Sequence, residues 1–145
     1  IERGGVNVAD YVELSVLGDD VKQYVETLKL NEQELGLFLL GMLVSFVAKE
    51  QAKKGDGKKV ILEKINYYGM PLTKVLSFAN EIFEKLIQYK VLNSYTELIH
   101  SLAKSYLDKN LKDWKLTPQE NVYWIKSGYA YQTKKFILSS NSKED

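Results

Sequence analysis

The sequence predicts an all-α protein, a compact bundle of five to six helices around one central apolar helix. No segment of useful length alternates apolar and polar residues as a half-buried strand does. Apolar residues instead recur at helical spacing in several segments, and three of these segments open with a capping-box pattern. The 145 residues, 45% of them hydrophobic and 27% charged, are enough for one buried core.

The central helix is predicted over residues 31–54. It opens with Asn31, an N-cap residue followed three positions later by Glu34, and continues through the run LGLFLLGMLVSFVAKEQAKK. This run is apolar nearly all round, which is typical of a helix enclosed by others. Gly36 and Gly41 lower its helix propensity, and we expect them to let neighbouring backbones approach closely.

Two elements are predicted between the central helix and residue 92. The sequence Gly55-Asp56-Gly57 predicts a turn, because glycine accepts positive φ and aspartate can bond the local backbone. The segment VILEKINYYGM that follows is too short for periodicity to separate strand from helix, and we predict a short helix. Pro71 then begins the amphipathic segment LTKVLSFANEIFEKLIQYKVL, which predicts a longer one.

Two further capping boxes open the last helices of the predicted bundle. One is Ser94 with Glu97, and the other is Thr117 with Glu120 and Pro118 at the first helical position. The apolar stripe of the last helix is predicted to point inward, and it comprises Val122, Ile125, Tyr129 and Phe136.

Three regions are predicted along the chain. Residues 1–30 form an N-terminal helical extension of open role, with two short helices broken at Gly18 and with Asp19 or Asp20 as an N-cap. Residues 31–138 form the helical bundle. The polar run SSNSKED ends the chain, and residues 139–145 are predicted to be a flexible tail.

The sequence offers little to support catalysis. The single histidine, His100, shares a helix side with Glu97 and Lys104, and a solvent-facing ion cluster explains it. No cysteine, second histidine, nucleotide-binding or hydrolase motif is present, so we predict no catalytic residue, metal or cofactor. The lack of cysteine and the shortness of the apolar run 35–48 predict a cytoplasmic protein without a membrane role.

Lysine distribution is the remaining functional signal. Residues 1–48 carry eight acidic and three basic residues, whereas residues 49–145 carry seventeen lysines and eleven acidic residues. Lysine suits sequence-independent neutralisation of phosphates, and a chain with one arginine is poorly equipped to read base edges. The candidate nucleic-acid-binding residues are Lys49, Lys53, Lys54, Lys58, Lys59, Lys64, Tyr67, Lys126, Lys134 and Lys135.

These candidates also have a simpler interpretation. Lysine-rich turns are common on protein surfaces, and tyrosines at helical spacing usually pack their rings at the edge of the core. Nucleic-acid binding requires the lysines to converge into one electropositive track in the folded chain. Tyr67 and Tyr68 are then candidate stacking platforms for single-stranded bases.

Four segments carry a resemblance to a known family. They are FLLGMLVSFVAKEQ, KKVILEKINYYGM, ANEIFEKLIQYKV and WKLTPQENVYWIKSGYA, and together they span about residues 31–138. Their order and spacing resemble the C-terminal helical region of the large subunit of type I-B CRISPR Cascade complexes. In that family the same region is also made as a separate small subunit by internal translation initiation.

The resemblance implies a non-catalytic subunit of an RNA-guided DNA surveillance complex with a role in antiviral defence. Its implied partners are other Cascade subunits, neighbouring copies of itself and the R-loop formed by crRNA and target DNA, which it would contact through the displaced strand. Lys58, Lys59, Lys64 and Tyr67 lie in the matching segment KKVILEKINYYGM and become plausible contact positions. A purely structural helical adaptor that makes only protein contacts is the alternative.

Overall fold

The computed structural model describes residues 14–15, 17–55 and 57–144, with side chains up to residue 140. Within these ranges the chain forms α-helices and two short 3-10 helices and no β-strand, which confirms the predicted all-α class. The five α-helices are α1 (Asp19–Leu28), α2 (Glu32–Lys54), α3 (Leu72–Gln88), α4 (Ser94–Lys109) and α5 (Pro118–Glu144). The 3-10 helices are Val60–Lys64 and Leu111–Asp113. The helix predicted before Gly18 lies largely outside the described residues, and Asp56 of the predicted turn lies wholly outside them.

Helix α2 is the centre of the bundle, as predicted. The Asn31 side chain accepts a hydrogen bond from the Glu34 amide at 2.9 Å, and the Glu34 carboxylate accepts one from the Asn31 amide at 3.0 Å. Residues 33–45 are buried without interruption, and α2 packs against α3, α4 and, most extensively, α5. Leucine-rich surface on every side of the helix is thus removed from water, which supplies the main driving force for folding.

The length and hydropathy of α2 alone would allow it to cross a membrane. The helix has 23 residues and is therefore longer than the apolar run 35–48, whose shortness predicted no membrane role. However, 78% of its most apolar stretch is buried within the protein. A core helix enclosed by others meets the same criterion of length and composition. The burial therefore accounts for the hydropathy of α2 through packing against the other helices.

Two glycines mark the point where α2 and α5 cross. A Cβ atom on Gly41 would overlap the carbonyl oxygen of Ile125 and lie 2.8 Å from the Tyr129 nitrogen. A Cβ atom on Gly128 would overlap the carbonyl oxygen of Phe38 and lie 3.1 Å from the Met42 nitrogen. The two backbones are therefore in direct contact, as predicted for Gly41, and only glycine permits this approach.

The caps of α4 and α5 test the two other predicted boxes. The box of α5 is confirmed, because the Thr117 hydroxyl accepts from the Glu120 amide at 3.1 Å and Glu120 accepts from the Thr117 amide at 2.9 Å. The box of α4 was predicted one residue too late. Its N-cap is Asn93, whose side chain accepts from the Thr96 amide at 3.0 Å, and the buried Thr96 hydroxyl also donates to Val91 at 2.8 Å.

Three other boundaries bear on the predictions. The N-cap of α1 is Gly18 and not Asp19 or Asp20, which lie in the first turn, where carboxylates favour the positive end of the helix dipole. The short helix predicted after the glycine turn is confirmed as the 3-10 helix Val60–Lys64. Helix α5 continues to Glu144, so the backbone of residues 139–144 is helical where the sequence predicted a loose tail. Side chains 137–140 there are exposed.

Candidate functional site

A cleft of about 560 Å³ lies between the C-terminal half of α2 and α5. Three of the predicted lysines, Lys49, Lys53 and Lys59, line it. Ser45 and Thr133 lie in the same cleft, and their hydroxyl groups share a hydrogen bond of 2.7 Å that joins α2 to α5. Among the residues that the structure describes, no carboxylate lines this cleft, so it is a concave surface with positive charge and hydroxyl groups.

The two lysines from α2 share a face because they are four residues apart. Lys49 Nζ lies 4.1 Å from the centroid of the Phe136 ring, and this cation–π contact orients the Lys49 side chain along α5. Lys53 Nζ lies 3.7 Å from a carboxylate oxygen of Glu50, and its side chain is 60% exposed. The pair is weak, because the Lys53 side chain is largely in solvent and the two charged atoms are 3.7 Å apart, so Lys53 remains able to bind another anion.

The third lysine, Lys59, comes from the loop after α2. Gly57 has φ of 87°, as expected for the glycine turn, and its amide donates to the Ala52 carbonyl at 2.8 Å. The buried Gln51 side chain fixes the end of the loop, because its oxygen accepts from the Ile61 amide at 2.6 Å. The Gln51 amide group donates to the Tyr89 hydroxyl at 3.3 Å and so links the loop to the end of α3.

Replacing Gln51 by leucine is expected to destabilise the protein and release the loop that carries Lys59. The buried Ile61 amide would lose the side-chain oxygen that accepts its hydrogen bond, which costs on the order of 1–3 kcal/mol of unfolding free energy. Urea denaturation measures this change. Gln88→Leu is the matched control, because Gln88 is exposed and accepts only from Lys85, and its effect is expected to stay within about 0.5 kcal/mol. Equal effects of the two variants would contradict this role of Gln51.

A second concave surface, about 320 Å³, adjoins the first around the α2 lysines. Lys49 and Lys53 line it as well, together with Lys90 from the connection between α3 and α4 and with one carboxylate, Glu50. Lys90 has φ of 57°, so its backbone is in the left-handed region where the chain turns out of α3. Lys49, Lys53, Lys59 and Lys90 together form what we call the basic cleft.

The other predicted lysines do not join the basic cleft. Lys54 points toward α3, with Nζ 5.7 Å from the Tyr89 ring centroid, and Lys64 pairs with Glu81 at 3.8 Å. Lys58 is exposed on the loop beside Lys59. Lys126 lies over the Tyr67 ring at 5.1 Å, in a separate pocket. The ten candidates therefore form several groups and not one continuous track.

Lys134 and Lys135 face α1 from the opposite side of α5. Lys135 Nζ lies 3.3 Å from Asp20 and donates to the Tyr95 hydroxyl at 3.1 Å. Partial burial acts to lower the pKa of Lys135, but the contacts with Tyr95 and Asp20 outweigh it and raise the pKa above its usual value. Lys135 is thus charged and engaged in linking α1, α4 and α5, which makes it a poorer phosphate ligand than the lysines of the cleft.

Asp20 and Tyr131 complete this link. The Tyr131 hydroxyl donates to Asp20 at 3.0 Å, and burial together with this carboxylate raises the pKa of Tyr131 well above its usual range. Burial acts to raise the pKa of Asp20, but the hydrogen bond from Tyr131 and the charge of Lys135 bring it below its usual value. These side chains have a structural role, because their polar contacts connect α1, α4 and α5.

His100 is not the fully solvent-facing residue expected from the sequence. Its ring is half-buried and lies 4.2 Å, centroid to centroid, from the Phe83 ring. Burial lowers the pKa of His100, Lys104 lowers it further, and Glu97 opposes them. His100 lines none of the clefts described above, and within the described residues no three His, Asp or Glu side chains are grouped to hold a metal ion.

The sequence missed part of the basic cleft. Lys90 was not among the candidates, although it is an exposed lysine near the end of the segment that predicted α3. Tyr129 and Phe136 were predicted to face the core, but both are half-buried and line the cleft beside Thr133. The spacing of residues 129, 133, 136 and 140 on one face of α5 was the available signal.

The fold and the cleft together define an all-helical domain with an electropositive, hydroxyl-lined cleft at one end of its central helix. Residues 5–144 match the family described as CRISPR-associated protein TM1802 (cas_TM1802) C-terminal domain. The match covers nearly the whole chain, and the chain belongs to this family. The protein therefore has a CRISPR-associated role. No curated protein and no solved structure matches the chain.

Proposed function

We propose that this domain is a non-catalytic part of an RNA-guided DNA surveillance complex of the Cascade type, and that its basic cleft binds nucleic-acid backbone. The observation that carries the proposal is the convergence of Lys49, Lys53 and Lys59, from two different elements, on one concave surface whose described lining includes no carboxylate. Glu50 lines only the adjoining surface that carries Lys90. Ammonium groups neutralise phosphates without reading bases, which suits a subunit that must hold any target sequence. The CRISPR-associated family is consistent with this role.

The lysines of the cleft are suited to this task because they are exposed and weakly paired. Within the described residues these lysines form one ion pair, Lys53 with Glu50 at 3.7 Å, in which the Lys53 side chain is 60% exposed. Release of counterions from the nucleic acid would therefore provide most of the binding free energy, and the affinity would depend strongly on salt. In this proposal the domain stabilises the R-loop and contributes to assembly in the cytoplasm. Type I-B architecture and neighbouring copies are what the resemblance of the four segments implies.

Replacing Lys49, Lys53 and Lys59 together by glutamine is expected to weaken binding of target DNA by the assembled complex. Each lost phosphate contact lowers the slope of log K against log salt by about 0.7–0.9, so the triple variant should lower it by about 2–3. The corresponding loss of affinity at 0.1 M salt is on the order of 100-fold. Titrations of labelled target DNA over a salt series measure both quantities.

The matched control replaces Lys104, Lys112 and Lys115 by glutamine. All three are exposed, and they lie toward the other end of the bundle: the Lys115 amide bonds Gln33, near the N-terminus of α2. The control removes the same net charge and is expected to change the salt slope by less than about 1. A complex whose salt slope is equally unchanged by both triple variants would refute backbone binding by the cleft.

A purely structural adaptor is the second candidate function. Ile87, Ile137 and Leu138 are exposed by 63%, 56% and 56%, and Ile137 and Leu138 are adjacent on α5, so these apolar side chains are available for contacts with another protein. The adaptor predicts that the complex assembles only with the domain but gains no DNA affinity from it. The lysine variants distinguish the two functions, because in the adaptor they leave DNA binding intact.

A further inference from the structure

A third pocket, separate from the basic cleft, combines exposed aromatic rings with a lysine. The pocket has a volume of about 450 Å³, and Tyr67, Tyr123 and Lys126 line it. The two tyrosines are 54% and 60% exposed, and the neighbouring Tyr68 is 90% exposed. Tyrosine rings usually pack at the edge of the core, so the exposure of the two rings that line this pocket needs another explanation.

Tyr67 and Tyr68 lie in a turn formed by residues 66–69, and hydrogen bonds hold this turn and the residue after it against α5. The Gly69 amide donates to the Asn66 carbonyl at 3.1 Å, and the Tyr68 amide donates to the Asn66 side chain at 3.0 Å. The next residue, Met70, donates its amide to the Pro118 carbonyl at 3.0 Å and accepts from the buried Asn121 side chain at 2.8 Å. The backbone of residues 68–70, next to Tyr67, is therefore held by hydrogen bonds before any ligand arrives, which lowers the entropy cost of binding.

The side chains that line the pocket are suited to bind a ligand with a planar ring and an adjacent negatively charged group. Lys126 Nζ lies 5.1 Å from the centroid of the Tyr67 ring, and none of the described residues that line the pocket is a carboxylate that could neutralise it. The remaining lining includes the Gln119 amide and Val122, which offer hydrogen bonds and apolar contact. An unpaired nucleobase with its own phosphate combines these features, since aromatic side chains stack on any base and the lysine neutralises the phosphate.

The pocket and the basic cleft lie along the same side of α5. Lys126 lines the pocket and Thr133 lines the cleft, seven residues further along the same helix face and about 10 Å away along the axis. A strand with one base in the pocket would thus continue toward Lys59 and Lys49. A base within a duplex is already stacked on both faces and does not offer one to a tyrosine.

We propose that Tyr67, Tyr123 and Lys126 form a base-stacking subsite for an unpaired nucleobase of a single strand whose backbone continues into the basic cleft. This inference rests on the proposed function and adds to it the kind of strand that is bound. The cleft alone would neutralise the phosphates of either duplex or single strand. The tyrosine subsite would make the domain prefer unpaired nucleic acid.

The test compares two double variants of the protein in its native assembly. Tyr67→Ala with Tyr123→Ala removes the rings, and Tyr67→Phe with Tyr123→Phe keeps them. A labelled single strand that is not complementary to the bound RNA, and a duplex of the same sequence, are titrated against each. The alanine variant is expected to lose roughly 10- to 100-fold in affinity for the single strand and less than about two-fold for the duplex. The phenylalanine variant should bind both as the unaltered protein does.

A crosslinking experiment on the unaltered protein gives an independent result. A single strand with 5-iodouracil at successive positions is irradiated, and the crosslinked residues are identified by mass spectrometry. We expect crosslinks at Tyr67 or Tyr123, and crosslinks only at other residues would overturn the subsite. Unchanged single-strand affinity of the alanine variant, or an equal loss for the duplex, would also overturn it. The lysine variants of the basic cleft test the proposed backbone binding separately. If those variants weaken binding, the proposed backbone binding stands even where the base-stacking subsite fails its test.

Discussion

Gly41→Ala and Gly128→Ala are each expected to lower the unfolding free energy of the bundle by more than about 4 kcal/mol, a large fraction of the total stability of a domain. In both variants the added methyl group would occupy the space of a backbone carbonyl oxygen, that of Ile125 or of Phe38. A backbone atom in a helix cannot move aside as the end of a flexible side chain can, so α2 and α5 must separate. Their interface is the most extensive in the molecule, and its apolar surface would be exposed to water.

Gly36→Ala is the matched control for these variants. It makes the same chemical change in α2, but its new Cβ atom would meet the Tyr106 Cβ at 3.2 Å and the Leu107 Cδ2 at 3.4 Å, which are side-chain atoms. The gain in helix propensity, about 1 kcal/mol, is shared by all three variants and offsets this smaller crowding. Urea denaturation and circular dichroism rank the three, and a Gly36 variant as unstable as the others would contradict the crossing described here.

Phe38→Ala is expected to cost about 3–5 kcal/mol of unfolding free energy. The Phe38 side chain is completely buried, and its ring lies 5.6 Å from both the Tyr24 ring of α1 and the Tyr131 ring of α5. The substitution would leave a cavity where three helices meet. Because α1 depends on this aromatic cluster, its amide hydrogens are also expected to exchange faster than those of α4.

Denaturant titration and hydrogen exchange measure the two effects of Phe38→Ala. Tyr68→Ala is the control, since the Tyr68 side chain is 90% exposed and its removal should change stability by less than about 0.5 kcal/mol. A destabilisation of Phe38→Ala below about 1 kcal/mol would show that the cluster does not contribute as its burial suggests. Exchange that accelerates equally in every helix would argue against a specific role in docking α1.

The sequence predicted the helices better than their contacts. Hydropathy identified α2 as the central helix, and the pattern of Thr117 and Glu120 located the start of α5, because both signals are local. Gly128 was not singled out, since its importance arises from Phe38, ninety residues away in the chain. The cap of α4 was misplaced by one residue because two neighbouring residues, Asn93 and Ser94, are both good caps and the buried Thr96 hydroxyl favours the first.

The functional residues were predictable by type but not by grouping. The spacing of Lys49 and Lys53 placed them on one helix face, and the structure adds Lys59 to the same cleft. Nothing in the local sequence indicates that Lys64 pairs with Glu81 or that Lys135 is held by Asp20 and Tyr95. These pairings depend on how the helices pack. They leave Lys64 and Lys135 less suited to bind phosphate than the cleft lysines Lys49, Lys53 and Lys59.

Lysine reactivity in the assembled complex tests the central proposal most directly. The complex is treated with an acetylating reagent with and without bound target DNA, and the modification of each lysine is quantified by mass spectrometry. The proposal predicts that DNA protects Lys49, Lys53 and Lys59, while Lys104, Lys112 and Lys115 react equally in both states. Equal reactivity of the cleft lysines with and without DNA would contradict the proposal that this cleft binds the nucleic-acid backbone.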